Sequence, residues 1–399
     1  MNENRKPLWH GVVLVAGGAI GAGMFALPMV SAGMWFAWAV LGLIVTWAFT
    51  YAAARLLADV NLTFAEGASF HSMVRSVLGP GWAWGNDVAI AFIMAILMYA
   101  YITAGAEILA HSLDSSLGVV NKIPRSALSV VFALVVGMFV WLGTSFVSRV
   151  TTVFLVGLVL SFIVANTELV TIADWLTLLP VSGELAYSKF LWAAIPVFVT
   201  AFACAGLVPS LVKHYRTEPQ KIRLSLLLGT LIVLLTYFVW LATTFASLPR
   251  DEFLAVAAQG GKIEHLVNAL QQGSSNQTLH HVLKWFSHFA IITSFLGIGL
   301  GLFHFLCDAL KLGGSRAGRA KAAILTFLPP AVMSVYLPYG FVKAIGFAGL
   351  LVAFSFFIVP AWMHIKQNGL RLSPVFVMFF GVLVAVLKMS LLLQLLPAY

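Results

Sequence analysis

The run Gly17-Gly18-Ala19-Ile20-Gly21-Ala22-Gly23-Met24-Phe25-Ala26-Leu27-Pro28 decides the fold. It lies inside an apolar stretch, 8–32, that is long enough to cross a bilayer. Yet glycine is about 1 kcal/mol poorer than alanine inside a helix, and proline removes a backbone donor. An apolar span built from helix breakers predicts a helix that crosses in two halves, interrupted near mid-membrane. Gly17 and Gly21 also read as a small-residue packing face, where two helices approach closely. The Gly18-x-x-Gly21-x-Gly23 spacing is not a dinucleotide fingerprint, which needs a preceding strand, and there is none.

A second weak span occurs at 190–211, where Phe202-Ala203-Cys204-Ala205-Gly206-Leu207-Val208-Pro209 follows Pro196. Apolar runs between polar punctuation give eleven candidate spans, at 8–32, 34–57, 86–111, 127–143, 150–166, 190–211, 224–246, 283–307, 320–336, 340–363 and 374–396. The weak spans are therefore the first and the sixth. An offset of five, being odd, makes the second copy enter the membrane inverted, and paired inverted repeats are a transporter architecture. The expected fold is an all-α integral membrane protein of eleven transmembrane helices. It forms one domain: a first five-helix repeat at 8–166, an inverted repeat at 190–363 and an extra helix at 374–396.

Composition agrees. The chain is 61% hydrophobic and 9% charged, against roughly a quarter charged in soluble domains, so lipid is its main solvent and a soluble multidomain protein is excluded. The net charge of +9 is scattered over short loops rather than gathered on one face, which argues against nucleic acid. With the N-terminus inside, fifteen Lys and Arg fall on the cytoplasmic side and seven on the other, with Lys388 in the last span. That bias predicts a cytoplasmic N-terminus and a periplasmic C-terminus. The polar N-terminus shows no cleavage site, so span 1 is expected to stay. The outer connection, 247–284, carries amphipathic stretches at 252–258 and 263–270, which suit short surface helices and a lid. Cys204 and Cys307, both in apolar segments, are expected to be free thiols.

Two unwound helices at one depth offer backbone N–H groups to a carboxylate and carbonyls to an ammonium, the two ends of an amino acid. The candidate substrate site is Gly18, Ala19, Ile20, Gly21, Ala22 and Gly23 from span 1, with Phe202, Ala203, Cys204 and Gly206 from span 6. Tyr99 and Tyr101 lie midway along span 3, and the Tyr101 hydroxyl is placed to hold a carboxylate; the plainer reading is packing with one satisfied hydroxyl. Phe25, Phe202 and Phe295 would line an aromatic pocket, although among 31 Phe most must face lipid or core.

Glu107 in span 3 is a carboxyl that hydrocarbon tolerates only if paired, protonated or reached by water, so it is a proton-coupling candidate or a rim residue. Thr293 and Ser294 in span 8 would donate ligands to sodium, or bond back to their own helix. His288 and His304 are too far apart to share a metal, and no metal site or cofactor is expected. No nucleophile sits with a base at membrane depth, so an enzyme is not expected. A channel or a sensor would also tolerate broken helices, but paired inverted repeats favour a carrier.

The runs Ile20-Gly-Ala-Gly-Met-Phe-Ala-Leu-Pro28, Ile195-Pro-Val-Phe198, Val208-Pro-Ser-Leu211, Thr293-Ser-Phe-Leu-Gly297, Leu300-Gly-Leu-Phe303, Thr326-Phe-Leu-Pro-Pro330 and Ala344-Ile-Gly-Phe-Ala-Gly349 resemble the bacterial aromatic amino acid permeases, in order along nearly the whole chain. Leu248-Pro-Arg-Asp-Glu-Phe253 with Gly260-Gly261, and Ser69-Phe70, are most similar to the tryptophan branch. The resemblance implies the leucine-transporter fold and proton-driven import of tryptophan, tyrosine or phenylalanine across the bacterial inner membrane. The implied partners are that substrate, protons or alternatively sodium, and the lipid bilayer, with no obligatory protein partner. Where the family has Tyr-His-Gly-Asn, this chain has Cys204-Ala205-Gly206-Leu207, and the family's Asp after Gly-Leu-Phe is His304, a second proton-coupling candidate. Glu107 resembles the tyrosine branch. The altered span 6 leaves room for another aromatic or apolar solute.

Overall fold

The computed structural model describes residues 7–117, 123–179, 184–259, 262–272, 276–312, 315–338 and 340–397, so Gly260 and Gly261 of the outer connection lie outside the described residues. Among the described residues the chain is helical, without strands. The first segment is α1 (Leu8–Ala19) and α2 (Gly23–Ser31), followed by α3 (Trp35–Asn61), a short α4 (Phe70–Leu78) and the long α5 (Pro80–Leu117). Next come α6 (Arg125–Leu142) and α7 (Thr144–Ile172), then α8 (Leu191–Ala201) and α9 (Val208–Tyr215), which are separated by a 3₁₀ turn, Ala205–Leu207. The remainder is α10 (Pro219–Ser247), α11 (Arg250–Ala258), α12 (Ile263–Gln272), α13 (Gln277–Ala309), α14 (Arg316–Tyr336), α15 (Phe341–Ala353), α16 (Val359–Asn368) and α17 (Leu372–Leu392). A π-turn, Phe354–Ile358, joins α15 to α16 ahead of Pro360, whose missing N–H cannot continue the ladder.

Nine helical segments are long and apolar enough to cross a membrane, or ten counting α1 and α2 as one bent span, among the described residues. The helix at Arg316–Tyr336 covers the expected span at 320–336, but Arg316, Arg319, Lys321 and the pair Pro329-Pro330 dilute its apolar length. The most enclosed spans are Leu185–Tyr215, Pro80–Ala110 and Phe341–Asn368, whereas Thr144–Ile172 is the least buried. Val153, Val156 and Leu160 accordingly present α7 outward to lipid. The expected surface helices of the connection after α10 form as α11 and α12. They bury Phe253, Val256, Ile263, Leu266 and Leu270.

Local chemistry sets the ends. Ser69, Asn276 and Ser315 cap α4, α13 and α14, each accepting a hydrogen bond from a backbone N–H of the first turn. Trp35 opens α3 in the left-handed region, φ 61°, a conformation costing about 1–2 kcal/mol. Stacking on Phe245 at 4.5 Å and a 2.8 Å hydrogen bond from Nε1 to the Thr177 carbonyl offset it. On the same side Arg250 donates to the Gly33 carbonyl at 2.9 Å with its guanidinium 4.1 Å over the Tyr187 ring, tying α11 to the turn between α2 and α3.

Candidate functional site

After Ala19 the chain leaves the helix at Ile20, which is extended, and α2 departs at 56° to α1. In the sixth apolar segment α8 stops at Ala201, Phe202 to Cys204 are irregular, and α9 starts only after the 3₁₀ turn, with Pro209 in its first turn. The interruptions face one another. A side-chain carbon at Gly23 would lie 3.6 Å from the Cα of Ala201, and one at Gly18 would run into Leu207. The C-terminal ends of α1 and α8 and the N-terminal ends of α2 and α9 therefore converge on one small volume.

Three side chains from other helices complete it. The Tyr237 hydroxyl of α10 lies 2.9 Å from both the Ala19 and the Ala201 carbonyl and shares its one proton between them, so a single hydroxyl joins the last turns of α1 and α8. Its ring meets Phe202 edge-on at 5.1 Å. Ser294 of α13 accepts from the Ala22 N–H at 2.9 Å, and a carbon added at Gly21 would fall on that same oxygen. Tyr101 of α5 lies close to Ser294, and Tyr101 and Cys204 are both neighbours of Tyr237. Gly21, Ala22, Tyr101, Phe202, Cys204 and Ser294 are thus brought together with Ala19 and Tyr237.

Other candidates lie elsewhere. Phe25 packs into an aromatic cluster with Trp240 and Phe286, ring centroids 5.6 and 5.0 Å away, joined by Phe162. This cluster sits at the α2 side of the breaks and is fully packed. Phe295 faces Phe132 and Phe327, away from α2. Gly206 has space, since an added carbon would meet only Phe356 at 3.7 Å. The Thr293 hydroxyl is spent on its own helix, on the Phe289 and Ala290 carbonyls. His304 is exposed at the far end of α13, 3.3 Å from the Thr144 hydroxyl. Glu107 is buried near α12, not beside the breaks. Tyr99 donates to the Leu337 carbonyl at 2.7 Å.

A cavity of about 240 Å³ between α5, α6 and α13 is lined by Gly105, Ile108, Phe132 and Ile291. Val131 and Val135 at its rim are about half exposed, so it opens sideways to lipid rather than to the breaks. Among the described residues no three His, Cys, Asp or Glu converge as metal ligands.

The residue missed in the sequence was Tyr237. Its signal was a tyrosine in a largely apolar stretch, 231–242, where a buried Tyr O–H must find a partner. The partner depended on two breaks far away in the chain.

The chain is similar to the tryptophan-specific transport protein of Pseudomonas aeruginosa (strain UCBPP-PA14), 38% identical over 410 aligned positions that cover 100% of this chain and 98% of that one. It is 32% identical to the low affinity tryptophan permease of Escherichia coli (strain K12), over 100% and 99% of the two chains. The tyrosine-specific transport system 1 of Haemophilus influenzae is 33% identical over 93% and 94%. A manganese transporter of Eremococcus coleocola, solved in complex with an aromatic bis-isothiourea substituted compound, superposes with a TM-score of 0.59 at 14% identity, over 98% and 88% of the chains, and shares the fold. The tryptophan/tyrosine permease family model matches residues 4–396. This chain, a multi-pass membrane transporter and not an enzyme, belongs to the tryptophan/tyrosine permease family.

Proposed function

We propose that the protein imports aromatic amino acids, tryptophan first and then tyrosine and phenylalanine, across the bacterial inner membrane by proton symport with alternating access. The N-terminus lies in the cytoplasm and the C-terminus in the periplasm. Eleven spans form two inverted five-helix repeats and an extra helix, with the first and sixth broken at mid-membrane. The observation that carries this reading is the meeting of four half-helix ends at Tyr237, Ser294 and Tyr101. Helix N-termini attract the carboxylate, and the carbonyl ends at Ala19 and Ala201 attract the ammonium. Phe202 supplies an aromatic face for the side chain.

Packing supports the inverted repeat. Shifting each partner by five spans turns the contact of α1 with α10 into that of α8 with α3, and both occur. The pair α5 and α15 becomes α13 and α7, and α5 with α14 becomes α13 with α6; all are packed. The pair α8 and α15 breaks the symmetry. On the outer side α8 is tight against α15, where a carbon at Gly349 would strike the Pro196 carbonyl and Thr200 donates to the Ile345 carbonyl at 3.0 Å. Its counterpart, α1 with α7, is not extensively packed. A closed outer pair beside a looser inner one is the arrangement of an inward-facing carrier, and exchanging the two gives the outward-facing one.

Proton coupling draws on Glu107. The alternative, sodium, drew on Thr293 and Ser294; the Thr293 hydroxyl is committed to its own helix, and Ser294 Oγ accepts the Ala22 N–H. Coupling to one proton at 100 mV, about 2.3 kcal/mol, sustains roughly fifty-fold accumulation. Counterflow of labelled tryptophan in proteoliposomes is expected, and excess tyrosine or phenylalanine should suppress it far more than leucine. A protonophore should abolish accumulation while replacing sodium by choline leaves it intact. Uptake that survives the protonophore and collapses in choline would replace proton by sodium. Counterflow with another apolar or aromatic solute, but none with amino acids, would mean that Cys204-Ala205-Gly206-Leu207 has changed the substrate.

A further inference from the structure

Away from the two breaks, titratable side chains gather where α12 lies across α5. Glu107 of α5 is 2% exposed, and neither carboxyl oxygen has a hydrogen-bond partner among the described residues. Each element around it contributes a group. Arg125 comes from the first turn of α6, and Lys262 and Glu264 from the start of α12; Tyr99, on α5 itself, also feels the charge of Glu107. From α13, His288 is bonded to the Lys284 carbonyl at 2.6 Å, while Tyr336 of α14 and Lys343 of α15 are exposed. His265 on α12 shares Lys262, Glu264 and Arg125 as neighbours, and its Nδ1 is buried with no hydrogen-bond partner.

A carboxyl stripped of water and given no hydrogen bond costs several kcal/mol as the anion and far less as the acid. Packed against α5 is α12, which the transport reading puts on the outer side and which is held down by one apolar face, Ile263, Leu266 and Leu270. We propose that Glu107, with Arg125, Lys262, Glu264 and His265, forms a proton-binding lock on the outer lid: α12 closes over Glu107 when that carboxyl takes up an external proton, and lifts when the proton leaves. The lock rests on the transport reading and extends it, placing the coupling proton at the lid and not among the substrate contacts.

His265 gives the lock a second limb. Burial first, and then Lys262, hold its ring below the ordinary imidazole range. The charged ring is therefore disfavoured beneath a closed lid, and acidification that charges it reopens the lid. Closure is greatest at intermediate pH, lost on the alkaline side as Glu107 ionises and on the acid side as His265 charges.

The test uses Ala269→Cys on α12, with a membrane-impermeant maleimide applied from outside and the unsubstituted chain as blank. At each pH the labelling rate is divided by that of the same cysteine in a Glu107→Gln chain, which cancels the thiol's own ionisation. On the alkaline side the ratio should rise by up to about tenfold per pH unit, as one linked proton allows. Glu107→Asp should restore a pH-dependent ratio with a shifted midpoint; the acid limb, which the Glu107→Gln reference shares, is read as the ratio of the Ala269→Cys rate to that of the same cysteine in a His265→Gln chain, which should rise on the acid side alone. A ratio that stays flat across pH, or an Asp variant indistinguishable from Gln, overturns the lock. Tryptophan counterflow by the unsubstituted chain separates the two claims: counterflow with a flat ratio refutes the lock only, and no counterflow with any amino acid refutes the transport reading.

Discussion

Gly21→Val is expected to abolish tryptophan uptake while leaving the amount of protein in the membrane unchanged. The first carbon of the new side chain would coincide with Ser294 Oγ, the atom that accepts the Ala22 N–H at 2.9 Å. Either α2 retreats from α13 or Ser294 turns away and strands a backbone donor at the break. A displacement of about 1 Å in reacting or binding groups costs on the order of a hundredfold in rate, and that is the loss expected here. Gly206→Ala provides the contrast, because its carbon would meet Phe356 at an ordinary 3.7 Å; uptake should stay within about twofold, a surface-like cost. Initial rates of labelled tryptophan uptake, normalised to membrane protein, check both. Normal uptake by Gly21→Val would return this glycine to a packing role.

Tyr237→Phe is the second large effect. It deletes one oxygen yet leaves the Ala19 and Ala201 carbonyls facing a ring with no donor. Each buried acceptor stranded in this way costs about 1–3 kcal/mol. Because the two carbonyls end α1 and α8, the cost falls on the conformation in which both half-helices are held together. Turnover should fall roughly ten- to a hundredfold, in line with that energy. The substituted ring keeps its edge-on contact with Phe202 only if α10 has not moved, so thermal stability of the purified protein is the companion measurement. A wild-type rate would mean that Tyr237 merely fills space.

The breaks were legible because their cause is local. Four glycines at 17–23 and the Pro196 and Pro209 pair weaken a helix wherever it is placed. The helices α11 and α12 were legible through their amphipathic pattern. What escaped was anything set by distance in three dimensions. Tyr237 read as one more aromatic, since the carbonyls it joins are 218 and 36 residues away. Phe25 read as a pocket residue because depth alone cannot tell a lining ring from one stacked among Trp240 and Phe286. Thr293 and Ser294 are neighbours in sequence but differ in role because successive helical residues point about 100° apart: one hydroxyl returns to its own helix and the other reaches the first break. Glu107 read as a lone carboxyl, and only α12 folding over α5 supplied its company.

The two cysteines allow the central claim, that substrate binds where the two interrupted helices meet, to be tested directly. Cys204 lies in the second break and Cys307 near the far end of α13, and both are free. In a Cys307→Ser chain, a membrane-permeant maleimide should alkylate Cys204 and inhibit uptake, and saturating tryptophan should slow both alkylation and inhibition in parallel while leucine does not. Alkylation of Cys204 at an unchanged rate in the presence of tryptophan, by protein that still transports it, would contradict the account.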